Sequence, residues 1–279
     1  MTLPADVAIL ARVAMTSELS AALAEGVDAG VDPILEFRPF TWFHAATAGT
    51  LLLCSLAMAL LGRRWRSTPA EVALGAFWGG VIIARQGIEV AWYLLPRHFS
   101  WERSLPLQYC DLAPWIAAVA LLTRRRWARA MLYYWGIALC TQAYITPTLE
   151  EGLGHTRYWW FWLGHTHIVA AAMYDLIARG YRPTWPDFRT VSWITFAYAM
   201  ALVTFNAFTG MNYGYLGPTD PARPTIIDIL GPYPLRIVSL FAVVLTAFWA
   251  LTIVWKPGRS RPSPADATPP SGPASANAG

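Results

Sequence analysis

The chain has 279 residues, of which 56% are hydrophobic and only 14% are charged, and its mean hydropathy is +0.37. Soluble globular domains carry about 25% charged residues, so this composition indicates a polytopic membrane protein and excludes a disordered chain or a collagen-like repeat. The low content of charged residues also excludes a basic nucleic-acid-binding domain, and the net charge of +4 has to be interpreted from where the charges fall. The 15 tryptophans are typical of helix ends at a lipid–water interface.

Residues 1–40 precede the first long apolar stretch. Their charged side chains are mainly acidic, with six Asp and Glu residues against Arg12 and Arg38. Their pattern predicts an amphipathic helix over residues 5–25, followed by a linker. A signal peptide would need a basic start, a short apolar core and a small-residue cleavage site. We therefore expect 1–40 to be an amphipathic element and not a cleaved leader.

Seven apolar stretches lie between residues 41 and 255, and a membrane helix needs about 20 mostly apolar residues. Arginine clusters or Pro and Gly turns separate them. We predict an all-α fold, a seven-transmembrane-helix bundle over 41–255, and a disordered Pro-, Ser- and Ala-rich cytoplasmic tail over 256–279. The predicted spans are 42–61, 71–95, 105–122, 128–145, 159–177, 191–209 and 234–254.

The cationic residues are distributed unequally between the two sides of this bundle. The loops 62–70, 123–129 and 178–190 and the tail together carry 13 Lys and Arg residues, against seven on the other side. Cytoplasmic loops carry the excess of Lys and Arg. The N-terminus is therefore predicted outside and the C-terminus in the cytoplasm.

Polar residues within the predicted spans share one depth, in the outer half of the bilayer, when they are placed at 1.5 Å per residue. Polar groups inside a membrane are costly and mark function or hydrogen bonds between helices. These residues, with two from an outer loop, are His44, Arg85, Glu89, Gln108, Cys110, Asp111, Gln142, His165, Asn206, Asn212 and Tyr213. The inner half offers little besides Asp175. A pore should have polar groups along its whole path, so the pattern favours a pocket open to the outer face or leaflet.

Cys110 and His165 are predicted at nearly equal depth on two spans that run in the same direction. A thiol beside an imidazole is the minimal pair for acyl transfer, because the ring takes the proton and the thiolate attacks a carbonyl. A buried cysteine can instead pack as a small apolar side chain, as we expect for Cys54 and Cys140. The polar run Gln108–Asp111 around Cys110 favours catalysis.

Three further candidates each have two interpretations. Arg85 and Glu89 are four residues apart on one helix face, so they can neutralise each other or contact a substrate. His44 can anchor its helix at the interface or form part of the pocket wall.

The remaining candidates lie near the outer ends of the fourth and sixth spans. Gln142 and Asn206 can donate hydrogen bonds to an oxyanion or bridge two helices. Asn212 and Tyr213 belong to an outer loop that can cover the pocket.

No metal or other cofactor is expected. His165 and His167 are two residues apart and point about 200° apart on a helix, so they cannot face one ion together. The only lysine, Lys256, lies in the tail, which excludes a retinal Schiff base within the bundle.

Several short motifs resemble the YwaF-like family of bacterial integral membrane proteins, over about residues 40–255. The matching motifs are Leu105–Gln108 with Cys110 and Asp111, Trp135 and Gly136 with Gln142, Thr146 and Pro147, His165 with Ile168 and Val169, Gly180 with Arg182 and Pro183, Asn206, Asn212–Leu216, and Asp228 with Gly231, Pro232 and Pro234. The family is similar to a eukaryotic transmembrane acyltransferase that remodels ether phospholipids through a cysteine nucleophile. It is more distantly similar to membrane hydrolases of lipid esters. The resemblance implies that Cys110 is the nucleophile, His165 the general base and a membrane lipid the substrate, in the bacterial plasma membrane.

Three functions are consistent with these observations. The first is a membrane-embedded acyltransferase or lipid hydrolase. The alternative is a transporter or small-molecule-binding protein, which should also have polar residues in the inner half. The third is a structural membrane protein whose polar groups only hold helices together.

Overall fold

The computed structural model describes residues 32–219 and 225–255. Within these ranges the chain is helical, and the only strand-like pairing is an isolated antiparallel bridge between Glu36 and Glu151. The amphipathic helix predicted over 5–25 and the tail predicted over 256–279 lie outside the described residues.

The helices coincide in position with the apolar stretches of the sequence. Their bounds are α1 Trp42–Arg64, α2 Pro69–Leu94, α3 Tyr109–Thr123, α4 Arg126–Tyr134, α5 Gln142–Ile145, α6 Thr156–Ile177, α7 Trp185–Thr209 and α8 Arg236–Ile253. Local sequence explains several of the starts. The Thr41 hydroxyl accepts the N–H of His44 at the beginning of α1, and the Asp187 carboxylate accepts the N–H of Thr184 at the beginning of α7.

The predicted fourth span is not one continuous α-helix. A π-helical turn, Trp135–Leu139, separates α4 from α5, and the Cys140 N–H donates to the Trp135 carbonyl at 2.8 Å. Gly136 permits this turn to press against α6, since a Cβ there would lie 2.9 Å from the Cβ of Ala172. Turns of this type insert one extra residue and are frequent at functional sites. The turn sets which side chains between 138 and 143 face inward.

Helix α6 lies at the centre of the bundle, in contact with α1, α2, α3, α4 and the π-helical turn. Its buried residues include the small side chains of Ala170, Ala171 and Ala172, which are almost completely inaccessible, and large ones such as Trp162 and Tyr174. Small side chains allow helices in a membrane to approach closely and gain van der Waals contacts. The core therefore sits around the middle of α6.

The outer surface of the bundle is strongly apolar. Phe77, Trp193 and Phe208 are each more than 70% exposed, as expected when lipid rather than water surrounds the helices. Helices α1, α7 and α8 are long and apolar enough to cross a membrane by length and composition. The count of seven spans and the sidedness of the termini stay predictions.

The end of the bundle that carries the loops around Arg66, Arg124 and Arg182 is called here the arginine-rich end. Buried ion pairs close it. Glu71, only 2% exposed, accepts hydrogen bonds from Arg124, from Arg179 at 2.6 Å and from the Tyr174 hydroxyl at 3.2 Å. The expectation that this half offers little besides Asp175 is therefore wrong.

Two further pairs lie at the same end. Arg129 donates to Asp175 at 2.9 Å, and Arg126 donates to Asp187 at 2.6 Å. The partners of these pairs come from helices far apart in sequence, so each pair ties two helices together. Each described carboxylate buried at this end thus has an arginine partner.

Candidate functional site

A cavity of about 1000 Å³ opens at the opposite end of the bundle, called here the cavity end. Its wall is built by the end of α2, the beginnings of α3 and α6, residues 138–143, the loop 214–216 and the beginning of α8. The wall brings together side chains that are up to 159 residues apart in sequence, from Arg85 to Val244.

Most of the predicted site residues line this one cavity. They are Arg85, Glu89, Gln108, Cys110, Asp111, Gln142 and His165. The four others, His44, Asn206, Asn212 and Tyr213, do not belong to its wall.

Cys110 lies in the first turn of α3, at the position where a helix has free backbone N–H groups. The Asp111 carboxylate accepts the Gln108 N–H at 2.8 Å and fixes this turn. Pro114, four residues further on, has no N–H to donate to the Cys110 carbonyl. The half-buried thiol therefore sits at a helix N-terminus.

His165 faces the cavity in a defined tautomeric state. Its Nδ1 lies 2.8 Å from the Phe161 carbonyl oxygen. Because a carbonyl oxygen can only accept, Nδ1 carries the proton and Nε2 is the unprotonated, basic nitrogen of the neutral ring. Among the described residues, Nε2 has no hydrogen-bond partner, so it is available to take a proton.

Arg85 and Glu89 form an ion pair of 2.9 Å on α2, and the Gln86 amide oxygen accepts a further hydrogen bond from Arg85. Their side chains are only 8% and 16% exposed. Gly164 of α6 leaves space for the guanidinium, since a Cβ there would lie 3.4 Å from it. The pair thus neutralises itself within the cavity wall, and its guanidinium lies against Gly164, the residue before His165.

Three of the predicted residues outside the cavity hold the loop that follows α7. The Asn206 side chain accepts the Tyr213 N–H at 2.9 Å and donates to the Tyr213 carbonyl at 2.8 Å. The Tyr213 hydroxyl donates to the Trp101 carbonyl, and Asn212 accepts the Gly217 N–H. The side chains of Asn206 and Tyr213 and the amide oxygen of Asn212 are thus engaged within the protein, where they position the loop.

His44 and His167 also have structural partners. His44 accepts the Phe40 N–H at Nδ1 and donates from Nε2 to the Tyr144 carbonyl at 3.1 Å, which ties α1 to α5. The His167 Nδ1 accepts the Trp78 indole N–H at 3.0 Å. Within the described ranges, no three His, Cys, Asp or Glu side chains form a group that could hold a metal ion.

The cavity wall also contains polar residues that the sequence analysis did not select. Arg157, in the first turn of α6, pairs with Glu151 at 2.5 Å. Burial raises the pKa of Glu151, but the hydrogen bond and charge of Arg157 outweigh it and leave this pKa below its ordinary value. The motif 212–216 contains two tyrosines. The sequence pattern favours Tyr213 as the site residue, but Tyr215 is the tyrosine that lines the cavity.

The helical fold, the apolar exterior and the cavity lined by polar side chains define an integral membrane protein. Within that class, the chain belongs to the TMEM164 family, whose family model matches residues 39–253. This range corresponds to the membrane domain predicted over 41–255. No curated protein and no solved structure shows significant similarity to the chain.

Proposed function

We propose that this protein is a membrane-embedded acyltransferase or lipid hydrolase with Cys110 as nucleophile and His165 as general base. The observation that carries the proposal is that both residues line the same cavity. The thiol lies at a helix N-terminus, and the basic nitrogen of the imidazole has no hydrogen-bond partner among the residues that the structure describes. A thiol and a base in one enclosed site are the requirements of covalent acyl transfer.

In the first step, the Nε2 atom of His165 removes the thiol proton and the Cys110 sulfur attacks the carbonyl carbon of a lipid ester. As the S–C bond forms, the electron pair of the C=O π bond moves to the carbonyl oxygen. When the C=O bond re-forms, the ester C–O bond breaks, and the departing alcohol receives the proton from His165. The product of this half-reaction is an acyl thioester on Cys110.

In the second step, the hydroxyl of an acceptor gives its proton to His165 and attacks the thioester carbonyl. The S–C bond then breaks and the thiol is restored. A lysolipid as acceptor makes the protein a transferase, whereas water makes it a hydrolase.

The composition of the cavity wall supports an amphipathic substrate. Arg157 and Glu151 supply charge on one side. Ala199 of α7 and Leu240 and Phe241 of α8 supply an apolar surface on the other. A lipid has these two kinds of surface.

We also propose that the protein is a YwaF-like member of its family, that it lies in the bacterial plasma membrane, and that its pocket opens on the outer side of that membrane.

The test uses the full-length protein in lipid nanodiscs with phospholipids that carry a fluorescent acyl chain. We expect transfer or release of the labelled chain, and mass spectrometry should find an acyl group on the peptide that contains Cys110. Cys110→Ala should abolish both signals. Cys54→Ala, a change at an exposed cysteine outside the cavity, should leave them intact.

Full turnover by the Cys110→Ala variant would contradict the proposal. If that variant also retained uptake of a small molecule into vesicles, the alternative of a transporter would be favoured.

A further inference from the structure

The turn that follows α7 holds two consecutive residues in the left-handed backbone region. Gly214 has φ of 66° and Tyr215 has φ of 59°. For Gly214 the conformation has no steric cost, but for a tyrosine it places Cβ against the backbone. Backbone strain of this kind clusters at functional sites when surrounding contacts enforce it.

Three amide side chains enforce this conformation. Asn206 binds both backbone groups of Tyr213, Asn212 accepts the Gly217 N–H, and Gln108 accepts the Gly214 N–H at 2.8 Å. The bond from Gln108 is important because this residue lies two positions before Cys110. The strained turn is therefore attached directly to the first turn of α3.

Close packing reinforces this attachment. A Cβ on Gly214 would lie 2.8 Å from a methyl group of Leu202 and 3.3 Å from the ring of Tyr109, the neighbour of Cys110. Only glycine fits between α7 and α3 at this position. The next residue, Tyr215, therefore reaches the cavity wall beside the thiol.

The hydroxyl of Tyr215 is nearly free. Its one contact among the described residues is a long hydrogen bond of 3.4 Å to the Thr148 hydroxyl. Burial raises the pKa of this phenol; the Thr148 hydrogen bond and Arg157 lower it, the nearby Cys110 raises it, and the net direction is upward. The group is thus a protonated donor at neutral pH.

We propose that the Tyr215 hydroxyl is a catalytic residue that donates a hydrogen bond to the acyl carbonyl oxygen while the Cys110 sulfur attacks the carbonyl carbon. The inference rests on the proposed function. The hydroxyl keeps its proton throughout and stabilises the negative charge that the carbonyl oxygen gains. Asn206 and Tyr213, which the sequence suggested for this role, already use their hydrogen-bonding groups to hold the loop.

The test compares two reactions of Cys110 in the full-length protein. Attack on a 4-nitrophenyl ester forms an oxyanion and releases 4-nitrophenolate. Alkylation by iodoacetamide forms an S–C bond at a saturated carbon and releases iodide, so no oxyanion develops. Loss of one oxyanion donor costs about 10²–10³ in rate, so Tyr215→Phe should slow acylation by about that factor and leave alkylation within about twofold.

The matched control is Tyr158→Phe, which also removes a hydroxyl, one that contacts Thr47 at 3.1 Å and lies outside the cavity wall. It should leave both rates unchanged. If Tyr215→Phe is acylated at the wild-type rate, the inference about Tyr215 is wrong and the proposed function is unaffected. An equal loss of rate in both reactions would also overturn the inference, because it indicates damage to the fold or to the thiol. A wild-type protein whose Cys110 is alkylated but never acylated would overturn the proposed function and this inference together.

Discussion

The two ends of the bundle use buried polar groups differently. At the arginine-rich end, Glu71, Asp175 and Asp187 each lie within hydrogen-bond distance of an arginine. At the cavity end, the Nε2 atom of His165 has no described partner and the Tyr215 hydroxyl has only a long one. Paired groups stabilise helix contacts, whereas unpaired groups beside a cavity are available to a ligand. The comparison predicts that mutations at the two ends have separable effects.

The largest effect is expected from His165→Asn. An asparagine amide can still donate to the Phe161 carbonyl, but it has no basic nitrogen. Because general-base catalysis contributes about 10²–10⁴ in rate, acylation of Cys110 by the 4-nitrophenyl ester should fall by this factor while the melting temperature changes little. The control is His167→Asn, which alters a histidine that binds Trp78. Equal rate losses in the two variants would contradict the assignment.

At the arginine-rich end we expect the reverse result from Glu71→Gln. The change leaves Arg179, only 5% exposed, without its counter-charge. Breaking a buried pair by removing one partner costs about 3–5 kcal/mol, which denaturant unfolding in detergent should measure. The folded fraction should acylate Cys110 at the wild-type rate.

Arg124→Gln is the companion variant, because Arg124 binds the same carboxylate but is 43% exposed. Exposed pairs contribute about 0–1 kcal/mol, so this loss should be several times smaller. A similar loss in both variants would show that burial does not decide the strength of these pairs.

Asn206→Leu should lower both the stability of the protein and the rate of acylation. It leaves the N–H of buried Tyr213 without a partner, while the Tyr213 carbonyl keeps only the Leu216 N–H at 3.3 Å. An unsatisfied buried group costs about 1–3 kcal/mol. Hydrogen exchange should accelerate in residues 211–217 and acylation should slow, since Tyr215 is no longer held in place. An unchanged rate of hydrogen exchange in this segment would show that Asn206 does not hold the loop.

A pH-dependent effect is expected from Asp228, which binds the buried Arg236 before α8. Burial raises the pKa of Asp228, but hydrogen bonds from Thr225 and Thr219 and the charge of Arg236 outweigh it and leave this pKa below its ordinary value. Its stabilising contribution is therefore complete above the unfolded pKa of about 3.9 and is lost as the pH falls through the lower folded value.

Unfolding free energies measured between pH 7 and pH 3 should show this dependence in the wild type and lack it in Asp228→Asn. An identical pH dependence in the two proteins would show that Asp228 does not cause the pH dependence of stability.

The sequence was sufficient to locate the helices, because apolar stretches of fixed length are required in a membrane. The common depth of Cys110 and His165 stays a prediction, and the two residues line the same cavity. The sequence was not sufficient for the π-helical turn, since no local residue pattern distinguishes that turn from an α-helix. It also did not identify the partners of Glu71, because Arg179 lies 108 residues away. Nor did it decide between Tyr213 and Tyr215, since the direction of each side chain depends on the positive φ of Gly214.

The π-helical turn makes the register of the cavity wall sensitive to chain length. An α-helix advances by about 100° per residue, so the inserted residue sets the azimuth of Cys140 and Gln142 relative to α4. Deleting one residue between Trp135 and Leu139 would restore regular winding and swing Gln142 by roughly a quarter of a turn. Length variation should therefore be tolerated in the outer loops long before it is tolerated in these five positions.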